Sequence, residues 1–244
     1  MNFELRSYRT QIRGQALRPF RVVYRESDLL LLAEKDLSSE ALAALLEVRR
    51  DLENYLSSHP DFLKALKPLR EDPEAPPVAR KMYRAGKAAR VGPMAAVAGA
   101  IAEEVGQRLL RSGLTSEIVV ENGGDIYLAL KRDTTVAILA GDSPLSGKVG
   151  LRVKKDLMPC GVCTSSGTVG HSLSLGKADA LCVLARDTAF ADACATALAN
   201  LVKGPKDLKK LPRILPEIPG LLGVVGILGE HLLAWGKELE LVAL

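Results

Sequence analysis

Rings are what this sequence has least of. Phe, Trp and Tyr make up 4% of the chain, which leaves few flat faces on which unpaired bases could stack. Charge of one sign is scarce too: 33 Lys and Arg against 29 Asp and Glu give a net of +4, too small an excess to point to a polyanionic duplex. Both shortages argue against nucleic acid as a partner. No window reaches the roughly 18 apolar residues that span a bilayer. The opening MNFELRSYRT carries charges from Glu4 onward and lacks the apolar block of an export signal. The expectation is a cytoplasmic protein with no membrane partner. Its four cysteines are then expected as reduced thiols rather than a disulfide framework. No repeat period is visible either. What is present is 48% hydrophobic residues over 244 positions, enough to bury a substantial core.

The apolar runs FRVVY (20–24) and LLLLA (29–33) predict two short strands. A helix is expected over 39–56, with Leu42, Leu45, Leu46, Leu52 and Leu56 near one face and Ser38 or Ser39 as its cap. Prolines in KPLREDPEAPPVARK mark a surface connection near 68–78. Residues 80–90 then carry Arg80, Lys81, Arg84, Lys87 and Arg90 with no acid, and spacing places Arg80, Arg84 and Lys87 on one helical face. That face is either a solvated surface or a lure for an anionic ligand.

Met94, Val97, Ile101, Val105 and Leu109 predict a helix over 91–113, opened by Pro93 and closed by Gly113. Its alanines and Gly99 offer little bulk, so a sheet or ligand can approach its backbone. Strands are expected over 117–120, 125–130, 135–140 and 180–185, and a helix follows Asp187 or Thr188 as cap. After a proline-rich loop over 205–219, the Gly229-Glu230 and Gly236-Lys237 pairs predict a terminal antiparallel meander. The whole reads as a single α+β domain over 1–244, with mixed or antiparallel sheets and packed helices, or as two fused subdomains.

Four constellations could carry chemistry. In ADACATA (191–197), Asp192 and Thr196 sit one turn apart on a helix face and supply two hard oxygens of the kind Mg²⁺ takes. The alternative is a helix-dipole aspartate with a back-bonding threonine. In TSSGTVGHS (164–172), small hydroxyl residues with Gly167 and Gly170 can turn backbone N–H groups inward around a diphosphate, or form an ordinary loop. His171, within that segment, could serve as a general acid or base. Cys160-Gly-Val-Cys163 lacks the second half of a zinc site and reads as packing. In VENGGDIYL (120–128), Gly123 and Gly124 expose backbone while Asn122 and Asp125 could hydrogen-bond a ribose or an adenine edge, or cap a glycine turn.

The order of these blocks resembles the ApbE-type flavin transferases: VGPMAAVAGAIAE, VENGGDIYL, CTSSGTVGHSLSLGKAD and ADACATA, over roughly 91–200. Such enzymes use Mg²⁺ and FAD to attach FMN through a phosphoester to a Ser or Thr of an acceptor protein. The resemblance implies that Asp192 and Thr196 hold the metal, with a backbone carbonyl from the helix beginning near Gly92. It implies that Thr164, Ser165, Ser166 and Gly167 lie at the diphosphate and that His171 is the catalytic group. Two segments differ from the family pattern. His171 leads into SLSLGKADAL where the transferases carry Asp-Pro-x-Thr-Gly, and alanines with Gly99 replace a Lys-Gly in the early helix. The alternative function is a carrier or sensor that binds a flavin or related nucleotide without catalysis, and a homo-oligomer is compatible with either.

Overall fold

Residues 17–167 and 176–244 are described by a computed structural model of the chain. The two apolar runs near its start form a hairpin, β1 (Arg18–Tyr24) and β2 (Ser27–Ala33), in register from Arg18 opposite Ala33 to Tyr24 opposite Ser27. β1 alternates between exposed and buried residues along much of its length, whereas every residue of β2 is buried. That is the difference between an edge strand and one enclosed on both faces.

Four helical segments follow: α1 (Ser38–Ser58), α2 (Pro60–Lys64), α3 (Pro77–Ala89) and α4 (Val97–Arg111). The face that α1 buries is turned from the one the leucines suggest. Ala41, Leu45, Val48 and Leu52 go inward, while Leu42 and Leu46 stay exposed, because small residues at 41 and 44 let the helix sit closer. Neither serine caps it; Leu37 occupies the cap position without a side-chain bond. The proline-rich connection ends at Pro77, which is tolerated in the first turn of α3. The helix expected over 91–113 begins as a 3₁₀ turn at Pro93–Ala96 and becomes α-helical at Val97. Gly113 closes it with a φ of 71°, the left-handed end that glycine favours.

The strands are β3 (Ile118–Asn122), β4 (Asp125–Ala129), β5 (Thr134–Ala137), β6 (Val149–Val153), β7 (Cys160–Ser165) and β8 (Ala180–Ala185). Helices α5 (Thr188–Leu201) and α6 (Pro205–Leu208) come next, then β9 (Leu221–Leu228), β10 (His231–Trp235) and β11 (Glu240–Ala243). The proline-rich loop over 205–219 is in fact a chain of short helical turns, since its prolines fall in first-turn positions.

Eight strands form one sheet in the order β1-β2-β3-β4-β7-β8-β9-β10, and β11-β6-β5 form a second. Every described pairing is antiparallel. The terminal meander is only half realised. β9 and β10 make the expected hairpin, but after Gly236, at φ 128°, the chain leaves that sheet and β11 pairs with β6.

Alternation along the central strands separates three layers. Val120, Tyr127, Cys163 and Val183 face the helices with Ile101 and Val105. On the opposite face, Val162, Cys182 and Leu184 meet Leu151 and Val153 of the small sheet. With both faces covered, β8 is buried at every residue, which is why its sequence reads as an unbroken apolar run. Among the described residues no helix is long and apolar enough to cross a membrane.

Candidate functional site

Helices α4 and α5 cross at their N-terminal turns, and each supplies a carboxylate to the other's backbone. The Gly99 N–H, in the first turn of α4, donates to Asp192 Oδ2 at 2.9 Å, and the Ala98 N–H also bonds that carboxylate. In return the Thr188 N–H, at the first position of α5, donates to Glu103 Oε2 at 2.8 Å. First-turn N–H groups lack helical acceptors and carry the positive end of the helix dipole, so a carboxylate is a favourable partner for both. Asp187 completes the second cap by accepting the Phe190 N–H at 2.7 Å. Gly99 permits the crossing: a Cβ there would fall 2.5 Å from the Thr188 carbonyl oxygen and 2.9 Å from the Asp192 Cβ.

Beneath this crossing lies the β3–β4 turn. Gly123 and Gly124 hold φ values of 69° and 99°, which glycine adopts without strain, and so reverse the chain in two residues between Asn122 and Asp125. Asn122 Nδ2 donates to the Ala98 carbonyl at 3.1 Å, and the buried Glu121 accepts the Gly124 N–H at 2.8 Å. Asp125 stands opposite Cys163 in the β4–β7 register. The Cys163 thiol bonds the Asp125 carboxyl and also lies 3.4 Å from the Thr188 carbonyl oxygen.

Asp125 and Asp192 therefore form a buried acidic pair. Burial pushes Asp125 well above the usual carboxylate range, and the Asp192 charge adds to that against the Cys163 thiol and the Thr164 N–H. Burial likewise raises Asp192, to about 7, although the Gly99 and Ala98 N–H groups favour its charged form. Burial and the charges of Asp125 and Asp192 keep the Cys163 thiol protonated. Among the described residues no group of three or more His, Cys, Asp and Glu side chains is arranged to hold a metal by itself.

Thr196 lies one turn beyond Asp192 on α5 and is half-buried. Thr164 and Ser165 are not in a loop: they end β7, paired with Cys182 and Leu181. Alternation then sends Ser165 to the helix face, with Cys163, and Thr164 to the other. The Ser165 hydroxyl is buried there without a hydrogen-bond partner. Ser166 and Gly167 follow the strand, and the Gly167 N–H is bound to the Ala178 carbonyl at 2.9 Å. His171 lies outside the described residues, as does the rest of 168–175. Cys160 and Cys163 cannot act together, because three residues along a strand put them on opposite faces; all four cysteines are free and buried.

Sequence reasoning missed Glu103 and Lys81. Lys81 Nζ lies 2.6 Å from Glu103 Oε1 and 3.0 Å from Glu104 Oε1, and Gln107 Nε2 donates to Glu103 at 2.9 Å. The clue was an acidic pair inside an apolar helix face; Lys81 was masked by its place in a basic run. Of that run, Arg84 bridges to Glu71 at 2.9 Å on the surface.

Residues 9–213 match the model of a family described as "AbpE bacteria". A UPF0280 protein of Methanocaldococcus jannaschii is 40% identical over 228 residues, covering 91% of this chain and 92% of that one. A UPF0280 protein of Methanothermobacter thermautotrophicus is 42% identical over 202 residues, covering 81% and 78%. The fold is similar to that of the flavinyl transferase ApbE of Pseudomonas stutzeri in its apo form, with TM-score 0.56, 15% identity and 91% and 95% coverage. The flavin transferase ApbE of Vibrio cholerae gives TM-score 0.56, 11% identity and 91% and 97% coverage.

Proposed function

We propose, from the premise that the chain belongs to the family described as "AbpE bacteria", that it is a Mg²⁺-dependent FAD-binding protein that cleaves the FAD diphosphate. In the transfer reaction the bond from the FMN phosphorus to the bridging oxygen of the diphosphate breaks, and that oxygen stays with AMP. A phosphoester forms to a Ser or Thr oxygen of an acceptor protein, the hydroxyl proton is released, and AMP leaves. With water as acceptor the products are FMN and AMP.

The chemistry of the donors suits a hard divalent cation. Asp192 offers a carboxylate already oriented by two N–H groups, Thr196 a hydroxyl one turn on, and the start of α4 a backbone carbonyl. Two buried carboxylates that resist ionisation beside each other are what a cation would relieve. Asp192 and Thr196 would hold Mg²⁺, which would supply charge neutralisation at the diphosphate. Ser165, Ser166 and Gly167, at the end of β7, border the same side, with Thr164 contributing backbone. Gly123 and Gly124 offer bare backbone to the nucleotide, and Asn122 keeps its carbonyl oxygen for it. Asp125 lies below, where burial and the Asp192 charge hold its carboxyl well above the usual range. His171 would accept the proton of the attacking hydroxyl.

The observation that carries this reading is the Asp192 carboxylate, buried and held by the N-terminal turn of a second helix. Incubation with FAD and Mg²⁺, with AMP followed by chromatography, tests it. AMP release that stops in EDTA is expected; no release, with or without Ser/Thr acceptor proteins, overturns it. The missing Asp-Pro-x-Thr-Gly after His171 favours a second reading, a flavin carrier or sensor. FAD binding without AMP release would support that instead.

A further inference from the structure

The mutual capping of α4 and α5 ties two carboxylates together. Glu103 has both oxygens committed. Oε1 takes the Lys81 ammonium at 2.6 Å and the Gln107 amide at 2.9 Å, and Oε2 takes the Thr188 N–H at 2.8 Å. It is buried, as is its neighbour Glu104. One turn earlier on α4 is Gly99, and one turn later on α5 is Asp192, bonded at 2.9 Å. The two helices run antiparallel at this crossing, joined by two charge-assisted bonds one turn apart and in opposite senses.

The Thr188 N–H to Glu103 bond fixes where α5 begins. Because α5 is continuous from Thr188 to Leu201, it also fixes the height of Asp192 against the Gly99 and Ala98 N–H groups. A carboxylate in this place without Lys81 would be a buried unpaired charge. Burial works to lower the Lys81 pKa, but the Glu103 and Glu104 carboxylates raise it overall, so the ammonium stays charged.

We infer that Glu103, anchored by Lys81, is a positioning residue that sets Asp192 in its ligand-holding geometry through the start of α5. This rests on the proposed role of Asp192 for its functional meaning, but its geometric content can be read without any ligand. Glu103→Ala deletes the acceptor for the Thr188 N–H. Lys81→Met keeps that acceptor but frees the carboxylate from its anchor, and it serves if the first variant does not fold.

Amide hydrogen exchange by NMR on metal-free protein gives the first measurement. The Gly99 amide should exchange at least about tenfold faster in the variant, as expected when a bond to a charged group is weakened. The Val183 amide, in central strand β8, should change less than Gly99. Equal acceleration at both sites would show a merely structural role and overturn the inference, as would an unchanged Gly99. The second measurement is calorimetric titration with Mg²⁺ alone and with Mg²⁺ plus FAD, at a temperature where each protein is folded. Glu103→Ala should weaken Mg²⁺ binding by about 10–100-fold, the usual cost of losing a group that orients a ligand. Wild-type protein that binds no Mg²⁺ under either condition would remove the metal reading while leaving the Gly99 result to decide the positioning. Wild-type binding matched by the variant would sink the positioning alone.

Discussion

At the scale of single residues, Asp192 is where stability and chemistry pull apart. Its folded pKa is raised by burial from 3.8 to about 7, so the native state binds this proton more tightly than the unfolded chain does. Stability of the metal-free protein should therefore fall as pH rises between those values and then level off. Urea titrations in EDTA across that range measure the slope, and Asp192→Asn should reduce it, leaving the part that belongs to Asp125, which burial raises in the same direction. The same variant should lose Mg²⁺-dependent AMP release by more than the ~10–100-fold that follows loss of an orienting partner. Gly99→Ala tests the approach from the other side. Its Cβ would meet the Thr188 carbonyl oxygen at 2.5 Å, so about 1–3 kcal/mol of destabilisation is expected from the forced shift, read from the urea midpoint. Helical spacing made it legible that Asp192 and Thr196 lie one turn apart on a helix, but it took the resemblance to single them out. Glu103 was not legible, because nothing in one sequence says which residue lies across a helix crossing.

At the scale of elements, the capping of α5 shows what a sequence can and cannot specify. Asp187 before an apolar helical stretch is a local signal, and it does cap Phe190. Asp187→Ala should cost about 1 kcal/mol, measurable by chemical denaturation. The first N–H of the same helix is satisfied by a residue 85 positions away, which no local pattern reveals. The other departures have the same origin. Leu42 and Leu46 look like core residues on α1, yet packing selected the smaller alanine face. The run of hydroxyls after Cys163 suggests a loop, yet strand pairing with β8 claims Thr164 and Ser165.

At the scale of the molecule, the three layers divide labour. Residues proposed for the site come from the helix layer and the upper ends of β3, β4 and β7, while the small sheet covers the opposite face. Leu151→Ala, at a fully buried position in that small sheet, should cost about 2–5 kcal/mol. It should leave FAD affinity, measured by fluorescence titration below the unfolding transition, near the wild-type value. The α+β class and most strands were legible from apolar runs and turn glycines, but β6 and the central β7 were not. The departure of β11 to a second sheet was not, since a hairpin signal at Gly236 fixes a turn but not the partner strand beyond it.

The bond from Gly99 to Asp192 spans 93 residues of sequence and is matched by the one from Thr188 to Glu103. On a growing chain neither can close until α5 has been synthesised, and in refolding both demand a long loop closure before they return any energy. The crossing is thus expected to form later than the local hairpins and helices beside it. Contacts absent from the folding transition state act on the rate of escape from the native state. A ligand held at Asp192 should accordingly slow unfolding while leaving the refolding limb of the kinetics where it was, giving the occupied protein a longer lifetime rather than a quicker birth.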